Sequence, residues 1–392
     1  MGAFSDLKVV DLTSMVSGPV AACMLADQGA TVIKVEPVHG EQMRYLGPAL
    51  NGAPPTFYSC NRGKQSLALD LKSEAGKDIL WKLIKEADVL IQNFRPGAMT
   101  RMGFSDSDIR SSNPAIIYVS ISGFGEQGPY ANQRVYDPVI QALSGATDIQ
   151  ADRQSGKPAM FRVIMADKVA SLTAAQAIST ALYHRERTGE GQDIQLSMLD
   201  SMLSFLWPEG MGGLTYQENE YDPSIGSGSM DLVFPTQDGY ITAGAITDAE
   251  WRGMCAALNR EDLISDPRFI TARDRGLNGD ERKRIMADEI SKWTRVEILE
   301  RMRQYEVPSA PLLKRTELLH NDQIVAGQSI ETQTWEGYGE VRQAKPAAKY
   351  SRTPSKLRAP APKLGEHSKP VLSDLGFSNE EIERLFANGV VK

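Results

Sequence analysis

The chain has 392 residues, of which 41% are hydrophobic and 24% charged, the balance of an ordinary globular protein. Its 43 Lys and Arg against 50 Asp and Glu give a net charge of −7, which argues against a nucleic-acid-binding protein. The longest apolar runs, such as residues 115–119, are of strand length and far too short to cross a bilayer. We therefore expect a cytoplasmic protein with no membrane contact.

The N-terminal residues and the spacing of the cysteines agree with a cytoplasmic protein. The first residues lack the basic and apolar regions of a signal peptide, and Asp6 stands where a myristoylation signal needs Ser or Thr. Cys23, Cys60 and Cys255 are scattered and lack the spacing of metal ligands. They are typical of reduced thiols in the cytoplasm, and we expect no metal site.

Strand-like and helical segments alternate through the first 120 residues. Strands are predicted at 7–12, 31–35, 66–71, 89–91 and 116–119. Between them, one helix is predicted from Pro19 to near Gly29, and another follows Ser73 as its N-cap. Strands separated by helices indicate an α/β fold, with a Rossmann-like parallel sheet that helices cover on both faces.

The character of the sequence changes from about Gln217. A β-hairpin with Asp-Gly at its turn is predicted at 233–242, and two amphipathic helices follow at 280–292 and 296–305. We predict a large Rossmann-like domain at 1–205 plus 335–392 and a smaller α+β domain at 210–330.

The C-terminal part of the chain contains two further features. Residues 345–363 are rich in Pro, Lys and Arg and predict an extended surface connector. A last helix is predicted to begin at a capping box of Ser378 and Glu381 and to end at Gly389.

Asp167 lies between an apolar stretch and an Ala-rich segment of helical composition that runs from Lys168 to about Arg185. We predict that it is the N-cap of that helix, where a carboxylate accepts backbone N–H bonds and stays ionised at neutral pH. An ionised, partly desolvated carboxylate that faces a pocket can be a nucleophile. Taken alone, capping without chemistry is the more ordinary explanation.

Residues 123–128 match the GxGxxG pattern and follow a predicted strand. A dinucleotide fingerprint also requires a helix that begins at the turn, and here Pro129 and Tyr130 continue a loop instead. This pattern therefore does not predict a dehydrogenase. A glycine loop that moves over a bound ligand, or a plain turn, explains it better.

Basic residues outnumber acidic ones between Arg62 and Arg101, although the protein is acidic overall. Lys72, Arg95 and Arg101 stand near predicted strand ends, where α/β folds bind their ligands, and they suit a phosphate-bearing cofactor. The four histidines are far apart and form no metal or triad pattern.

The chain resembles the family III CoA-transferases, which include formyl-CoA transferase, carnitine CoA-transferase and 2-methylacyl-CoA racemase. The resemblance extends over essentially the whole length and depends on the order of its motifs. These lie at 7–13, 17–19, 29–36, 93–97, 121–125, 136–137, 167, 187–192, 198 and 364–367.

The resemblance implies that Asp167 is the nucleophile, with Tyr136 and Asp137 beside it. CoA would pass from an acyl-CoA thioester to a free carboxylic acid through an acyl-aspartyl anhydride and an aspartyl-CoA thioester. CoA is then a substrate, and no permanently bound cofactor, ATP or metal is needed. The residues implied in CoA binding are Leu69, Lys72, Asn93, Phe94, Arg101, Arg134 and Met198.

The family also implies an interlocked homodimer and a mobile glycine-rich lid that keeps water from the intermediates. Residues 123–128 and 226–229 are the two candidates for that lid. Val16 stands where formyl-CoA transferase has a Gln that lines the active site, so we expect a different acid substrate. Pro37 stands where several members have a CoA-binding Arg, so we expect different contacts at the adenine end of CoA. Arg44, Arg162 and Arg187 are candidates to bind the second carboxylate of a dicarboxylic acyl group.

Two alternatives stay open at this point. The racemase branch has a His where Tyr136 stands and a Glu where Thr247 stands, and both differences remove groups suited to proton transfer near neutral pH. This argues for a transferase over a racemase. A catalytically silent CoA-binding protein is the third possibility, against which the presence of Asp167 beside Tyr136 and Asp137 argues.

Overall fold

The computed structural model describes residues 1–49, 52–218 and 230–392. The chain forms two compact units. The larger one contains Met1–Thr147, Met160–Phe205 and Gly327–Lys392, and the smaller one contains Asp148–Ala159 and Leu206–Ala326. The domain limits expected from the sequence stay a prediction.

The larger unit is built on a six-stranded sheet of order β3-β2-β1-β4-β5-β6. The strands in chain order are β1 (Lys8–Asp11), β2 (Thr31–Glu36), β3 (Gln65–Ala68), β4 (Val89–Gln92), β5 (Ile117–Ser122), β6 (Gln192–Ser197), β7 (Phe234–Thr236), β8 (Gly239–Ala243), β9 (Ser309–Pro311), β10 (Ile330–Trp335) and β11 (Gly339–Ala344). All pairings from β1 to β6 are parallel. This is the strand order of a doubly wound, Rossmann-type sheet, so the predicted α/β class is confirmed.

Helices occupy most of the connections between these strands. They are α1 (Ser17–Asp27), α2 (Pro55–Asn61), α3 (Glu74–Glu86), α4 (Ala98–Arg101), α5 (Asp106–Ser112), α6 (Asp137–Leu143), α7 (Ala146–Ile149), α8 (Met165–Thr188), α9 (Met198–Gly210), α10 (Asp248–Ala257), α11 (Ala272–Leu277), α12 (Gly279–Ile290), α13 (Arg295–Gln304), α14 (Asp322–Ala326), α15 (Ser368–Asp374) and α16 (Asn379–Ala387).

The sheet is covered on both faces. On one face, Leu67 of β3 shares a buried cluster with Leu80 of α3, Leu372 of α15 and Ile382 of α16. On the other, α1 and α8 pack against the strands and against each other. Small buried side chains, among them Ala22 of α1 and Ala170 and Ala174 of α8, allow these two helices to approach closely.

The outer edge of the sheet at β3 is covered by the last residues of the chain. Leu69, just after β3, forms an antiparallel bridge with Val391. The Asp70 N–H donates to the Val390 carbonyl at 2.8 Å, and the Lys392 N–H donates to the Ala68 carbonyl at 3.2 Å. This segment follows α16, whose predicted capping box of Ser378 and Glu381 is confirmed.

The smaller unit contains a three-stranded antiparallel sheet of order β7-β8-β9. The predicted hairpin is present, but Gly239 pairs with Thr236, so the turn consists of Gln237 and Asp238 instead of Asp-Gly. Helices α12 and α13 confirm the two amphipathic helices expected there. Buried residues such as Phe234, Trp251 and Met286 form the core of this unit.

Two further expectations concern the connector near the C-terminus and membrane-spanning helices. Residues 345–363 contain neither helix nor strand, as predicted for a connector. In residues 1–49, 52–218 and 230–392, no helix has both the length and the apolar character needed to cross a membrane.

Candidate functional site

Asp167 lies in the first turn of α8, which begins at Met165. The prediction that Asp167 is the N-cap of this helix is therefore wrong by three residues: the N-cap is Ile164, and Met165 and Ala166, expected to be extended, are already helical. The free amides at the start of α8 are satisfied from elsewhere in the chain. The Asp137 Oδ2 accepts the N–H of Ala166 at 2.6 Å and that of Asp167 at 3.3 Å.

Both carboxylate oxygens of Asp137 accept hydrogen bonds. It is buried at the start of α6, and the side-chain amide of Gln141, one turn later, donates to its Oδ1. The Gln141 Oε1 in turn accepts the Phe161 N–H at 2.9 Å. Asp137 thus supplies the capping that the sequence suggested for Asp167, and its own carboxylate is occupied by these bonds.

The start of α1 meets the carboxylate of Asp167. Ser17, the first residue of α1, donates its backbone N–H to the Asp167 Oδ1 at 3.1 Å. The Ser171 hydroxyl, one turn further along α8, lies 2.8 Å from the Ser17 carbonyl and 2.7 Å from the Asp167 carbonyl. Because the N-terminal ends of helices carry partial positive charge, both helix starts favour a negative charge at this point.

Burial and, to a lesser extent, the nearby charge of Asp137 nevertheless raise the pKa of Asp167 to about 6, although the hydrogen bonds from Ser17 act in the opposite direction. The carboxylate is still largely ionised at pH 7. A partly desolvated carboxylate is more basic and less shielded by water than an exposed one. Both properties suit a nucleophile.

The loop between β1 and α1 is fixed by side chains from the segments that follow β2 and β4. Asn93, directly after β4, donates its amide to the Ser14 carbonyl at 2.8 Å and accepts the Ser14 N–H at 2.9 Å. The Glu41 Oε2 accepts the Met15 N–H at 2.9 Å. Since β1 and β4 are neighbours where the strand order reverses, this loop lies at the switch point of the sheet, where doubly wound folds bind ligands.

The residues implied in CoA binding all belong to the larger unit. Lys72 is exposed shortly after β3, Asn93 and Phe94 follow β4, Arg101 is exposed at the end of α4, and Met198 is buried directly after β6. Arg134 is exposed in the segment between β5 and α6. Leu69 differs from the others because its side chain is only 1% exposed and packs in the core.

A polar cavity of about 200 Å³ opens beside Phe94, at the ends of β4, β5 and β6. Gly125 and Glu126 of the glycine stretch form part of its wall, together with Arg95. The Gly125 N–H donates to the Ser122 hydroxyl at 2.9 Å. No helix begins within residues 123–136, which confirms that the GxGxxG pattern is not a dinucleotide fingerprint.

The other candidate residues are more dispersed. Tyr136 is 61% exposed and stands immediately before α6. Arg44 is paired with Glu36 at 2.6 Å and donates to the Pro362 carbonyl, so its charge is used inside the protein. Arg162 and Arg187 are exposed. The glycine stretch 226–229 lies outside the described residues.

Some residues of this site were not expected from the sequence. Ser17, Glu41, Gln141 and Ser171 form the hydrogen bonds around Asp167 and its neighbouring loop. Ser17 belongs to a Ser-Gly-Pro motif that the family resemblance already marked, but nothing local distinguishes Glu41 or Gln141. Within the described part of the chain, no group of three or more His, Cys, Asp or Glu residues is arranged to hold a metal ion.

Comparison with known proteins decides the family. The model of "CoA-transferase family III" matches residues 4–368. The chain belongs to CoA-transferase family III. It is 32% identical to the succinate–glutarate CoA-transferase of Agrobacterium fabrum, over 97% of this chain and 96% of that protein. It is 31% identical to the human succinyl-CoA:glutarate CoA-transferase, over 98% of this chain and 89% of the relative.

A crystal structure of similar fold agrees with this assignment. The CAIB/BAIF family protein from Brucella suis superimposes with a TM-score of 0.82 at 29% identity, covering 95% of this chain and 99% of the other. The chain is thus a CoA-transferase, and enzymes of this family use CoA thioesters as substrates. Thr247, where the racemases have a Glu, is the N-cap of α10, and its hydroxyl accepts the Glu250 N–H at 3.2 Å.

Proposed function

We propose that this CoA-transferase moves CoA by covalent catalysis on Asp167. The observation that carries the proposal is the carboxylate itself, which is largely buried, has a pKa of about 6 and accepts the Ser17 N–H at the start of α1. An ionised oxygen in this position is available for attack on a thioester carbonyl.

The reaction divides into four attacks at carbonyl carbons. An Asp167 oxygen attacks the acyl-CoA carbonyl, the C–S bond breaks, and CoA leaves as its thiolate, with an acyl-aspartyl anhydride on the enzyme. The thiolate attacks the aspartyl carbonyl and displaces the donor acid as a carboxylate. The acceptor carboxylate then displaces the thiolate from the aspartyl-CoA thioester, and the thiolate finally attacks the acceptor's acyl carbonyl and releases Asp167.

The developing negative charges lie near the starts of two helices. The partial positive charge at these helix starts stabilises an oxyanion or thiolate at this point without reorganisation. Asp137 and Gln141 hold the start of α8 in place. In this proposal Asp137 acts on the Asp167 carboxylate through its charge and its hydrogen bonds. Tyr136 directly precedes Asp137 and would lie close to the incoming acid.

CoA would bind along the carboxyl-terminal edge of the sheet, where the charges of Lys72, Arg101 and Arg134 suit its phosphates. Phe94 and Met198 would contact its apolar arm. The amide of Asn93 is already engaged by Ser14, and Leu69 would support this region from the core. Replacement of Lys72 or Arg101 by Ala should weaken CoA binding about tenfold, the loss of one charge-assisted contact. Lys77→Ala is the control, since Lys77 pairs with Glu74 on the surface of α3.

Substrates of this enzyme are proposed from the curated relatives. The proteins from Agrobacterium fabrum and human are named for succinate or succinyl-CoA and glutarate. We infer a dicarboxylic acid as donor or acceptor, with Arg162 and Arg187 as candidates for its second carboxylate. The interlocked homodimer and the cytoplasmic location belong to the same proposal, and a monomeric mass in solution would refute the dimer.

The decisive experiment is to incubate the enzyme with succinyl-CoA, quench with hydroxylamine, and analyse its peptides by mass spectrometry. Hydroxylamine converts an aspartyl anhydride or thioester to a hydroxamate, so the proposal predicts that modification at Asp167. Asp167→Asn is the control and should bind CoA without being modified. Bound CoA with an unmodified Asp167 across a panel of acyl-CoAs would refute the covalent route.

A further inference from the structure

We propose that Asn93 and Glu41 are positioning residues, which act through the backbone of Ser14 and Met15 to hold the Ser17 N–H against Asp167. This inference rests on the proposed function, since it concerns the reactivity of the same carboxylate. Neither side chain needs to touch the substrate for this role. Four consecutive residues, from Ser14 to Ser17, connect the two contacts to the nucleophile.

Asn93 makes a double hydrogen bond to one residue of the loop. Its Nδ2 donates to the Ser14 carbonyl at 2.8 Å and its Oδ1 accepts the Ser14 N–H at 2.9 Å. The pair of bonds imitates the pairing of two strands and fixes Ser14 in both position and orientation. The amide of Asn93 is therefore used inside the protein, at the edge where the resemblance places CoA.

Glu41 holds the next residue in an unfavourable conformation. Met15 has φ +68°, in the left-handed region that a side chain disfavours by about 1 kcal/mol or more. The Glu41 Oε2 accepts the Met15 N–H at 2.9 Å. A residue keeps such a conformation only when its surroundings impose it, and here the buried carboxylate of Glu41 supplies that constraint.

Glu41 is in turn fixed by buried charge. Lys34 lies 2.7 Å from the Glu41 Oε1, and the Lys34 Nζ also donates to the Thr13 carbonyl at 2.9 Å. Burial by itself would lower the pKa of Lys34, but the carboxylates of Asp11, Glu41 and Glu36 outweigh it and raise the pKa. The charged form of Lys34 is therefore favoured by the carboxylates around it.

The turn at Met15 sets where α1 begins. The chain bends there, α1 starts at Ser17, and Gly18 lies so close to Thr13 that an added Cβ would stand 2.3 Å from its Cγ2. If Met15 relaxed to an ordinary φ, the Ser17 N–H would leave the Asp167 Oδ1. The strain at Met15 is thus coupled to the hydrogen bond at the nucleophile.

The variants Asn93→Ala and Glu41→Gln test this coupling, with Asn113→Ala as the matched control. Asn113 also donates its amide to backbone carbonyls, those of Ile84 at 2.9 Å and Ala87 at 2.8 Å, but these lie away from Asp167. Three quantities are measured: the rate of hydroxamate formation at Asp167 with saturating succinyl-CoA, the pH midpoint of that rate, and the dissociation constant of CoA.

For a positioning role, Asn93→Ala and Glu41→Gln slow the labelling of Asp167 at least tenfold and move its pH midpoint upward, because loss of the Ser17 hydrogen bond raises the pKa of the carboxylate. The dissociation constant of CoA changes less than twofold, and Asn113→Ala keeps the wild-type rate and midpoint. A tenfold weaker CoA affinity with unchanged labelling and midpoint would overturn the proposal and make Asn93 a CoA contact. An equal loss of labelling in Asn113→Ala would show a general effect of stability.

Titration of Asp167 without substrate separates this inference from the proposed function. The ¹³C signal of the Asp167 carboxyl reports its pKa by NMR in the absence of any turnover. If the wild-type enzyme gives no hydroxamate, the covalent mechanism fails. An upward shift of the titration midpoint in Asn93→Ala and Glu41→Gln would then still support the positioning role, and an unchanged midpoint would refute it.

Discussion

The Asp137 Oδ2 accepts the backbone N–H of Asp167 at 3.3 Å. The carboxylate of Asp137 thus binds the main chain of Asp167, while its negative charge repels the Asp167 carboxylate. The same oxygen accepts the N–H of Ala166 at 2.6 Å. Asp137 therefore has two effects on Asp167 that differ in kind. It fixes the position of the residue through the backbone, and its negative charge contributes to the raised pKa of the carboxyl group.

Asp137→Asn should separate these effects. Without the charge of Asp137, the pKa of Asp167 falls below about 6, and the low-pH limb of activity, which requires the ionised carboxylate, moves to lower pH. The single carbonyl oxygen of Asn can accept from Gln141 or from the Ala166 N–H but not from both, so we expect a loss of about 1–2 kcal/mol in the free energy of unfolding. A pH–rate profile tests the shift of the limb, and urea denaturation tests the loss of stability. A limb at the wild-type pH would contradict the effect of the Asp137 charge on the pKa of Asp167.

Ser17→Ala should shift the same limb in the opposite direction. The hydrogen bonds from Ser17 lower the pKa of Asp167, and Ala removes the hydroxyl while it keeps the backbone N–H. We expect the limb to move upward by about 0.3 to 0.5 pH units, since only the hydrogen bond from the Ser17 hydroxyl is lost. The pH–rate profile is measured beside that of Asp137→Asn. Shifts of the same sign in the two variants would contradict this account of the site.

Asp167→Asn should be inactive and yet more stable than the wild type at pH 8. A carboxyl group whose pKa is raised to about 6 on folding binds its proton more tightly in the folded state, so its stabilising effect is present at low pH and is lost as the pH rises through that value. Asn at this position has no buried negative charge at pH 8, and its carbonyl oxygen can still accept the Ser17 N–H. Thermal unfolding should show a rise of about 1–3 °C at pH 8 that shrinks towards pH 5. A lower melting temperature at pH 8 would refute it.

Lys64→Met should destabilise the larger unit strongly. Lys64 is buried, lies 2.7 Å from the Asp11 Oδ2, and also donates to the Pro19 carbonyl and the Asn61 Oδ1. Its removal leaves Asp11 buried without that partner, at a cost of about 3–5 kcal/mol. Urea denaturation is the measurement, and Lys77→Ala, at a surface pair, should change stability by less than about 0.5 kcal/mol.

The double variant Asp11→Asn/Lys64→Met provides the matching check. Because the unpaired charge is gone, it should be more stable than Lys64→Met alone. A double variant that is less stable than Lys64→Met would mean that packing or the hydrogen bonds of Lys64, and not the charge of Asp11, explain the loss.

Much of the sheet could be predicted because its strands are buried on both faces. Five strands are short apolar runs bounded by turn residues, such as Val89–Gln92, in which every residue is buried. β6 was missed because Gln192, Asp193 and Gln195 interrupt it, and an outer strand with an exposed pattern gives little hydrophobic signal.

The site itself could be predicted only in part, since its contacts are distant in sequence. Asp167 was recognisable, but the start of α8 was misplaced because its capping group is Asp137, thirty residues earlier in the chain. The apolar Met165 and Ala166 continued an apparent strand. Similarly, no local pattern connects Asn93 to Ser14 across 79 residues, whereas the capping box at Ser378 is local and was found.

The antiparallel bridge between Leu69 and Val391 has a practical consequence for handling the protein. An outer strand with unpaired N–H and C=O groups is a template on which other chains can add and aggregate. Residues 390–392 occupy that template at the end of β3, and the Ser368 hydroxyl secures the Lys392 carbonyl at 2.6 Å. A short deletion here, or a purification tag that pulls these residues away, would expose the unpaired backbone groups of this edge and favour aggregation.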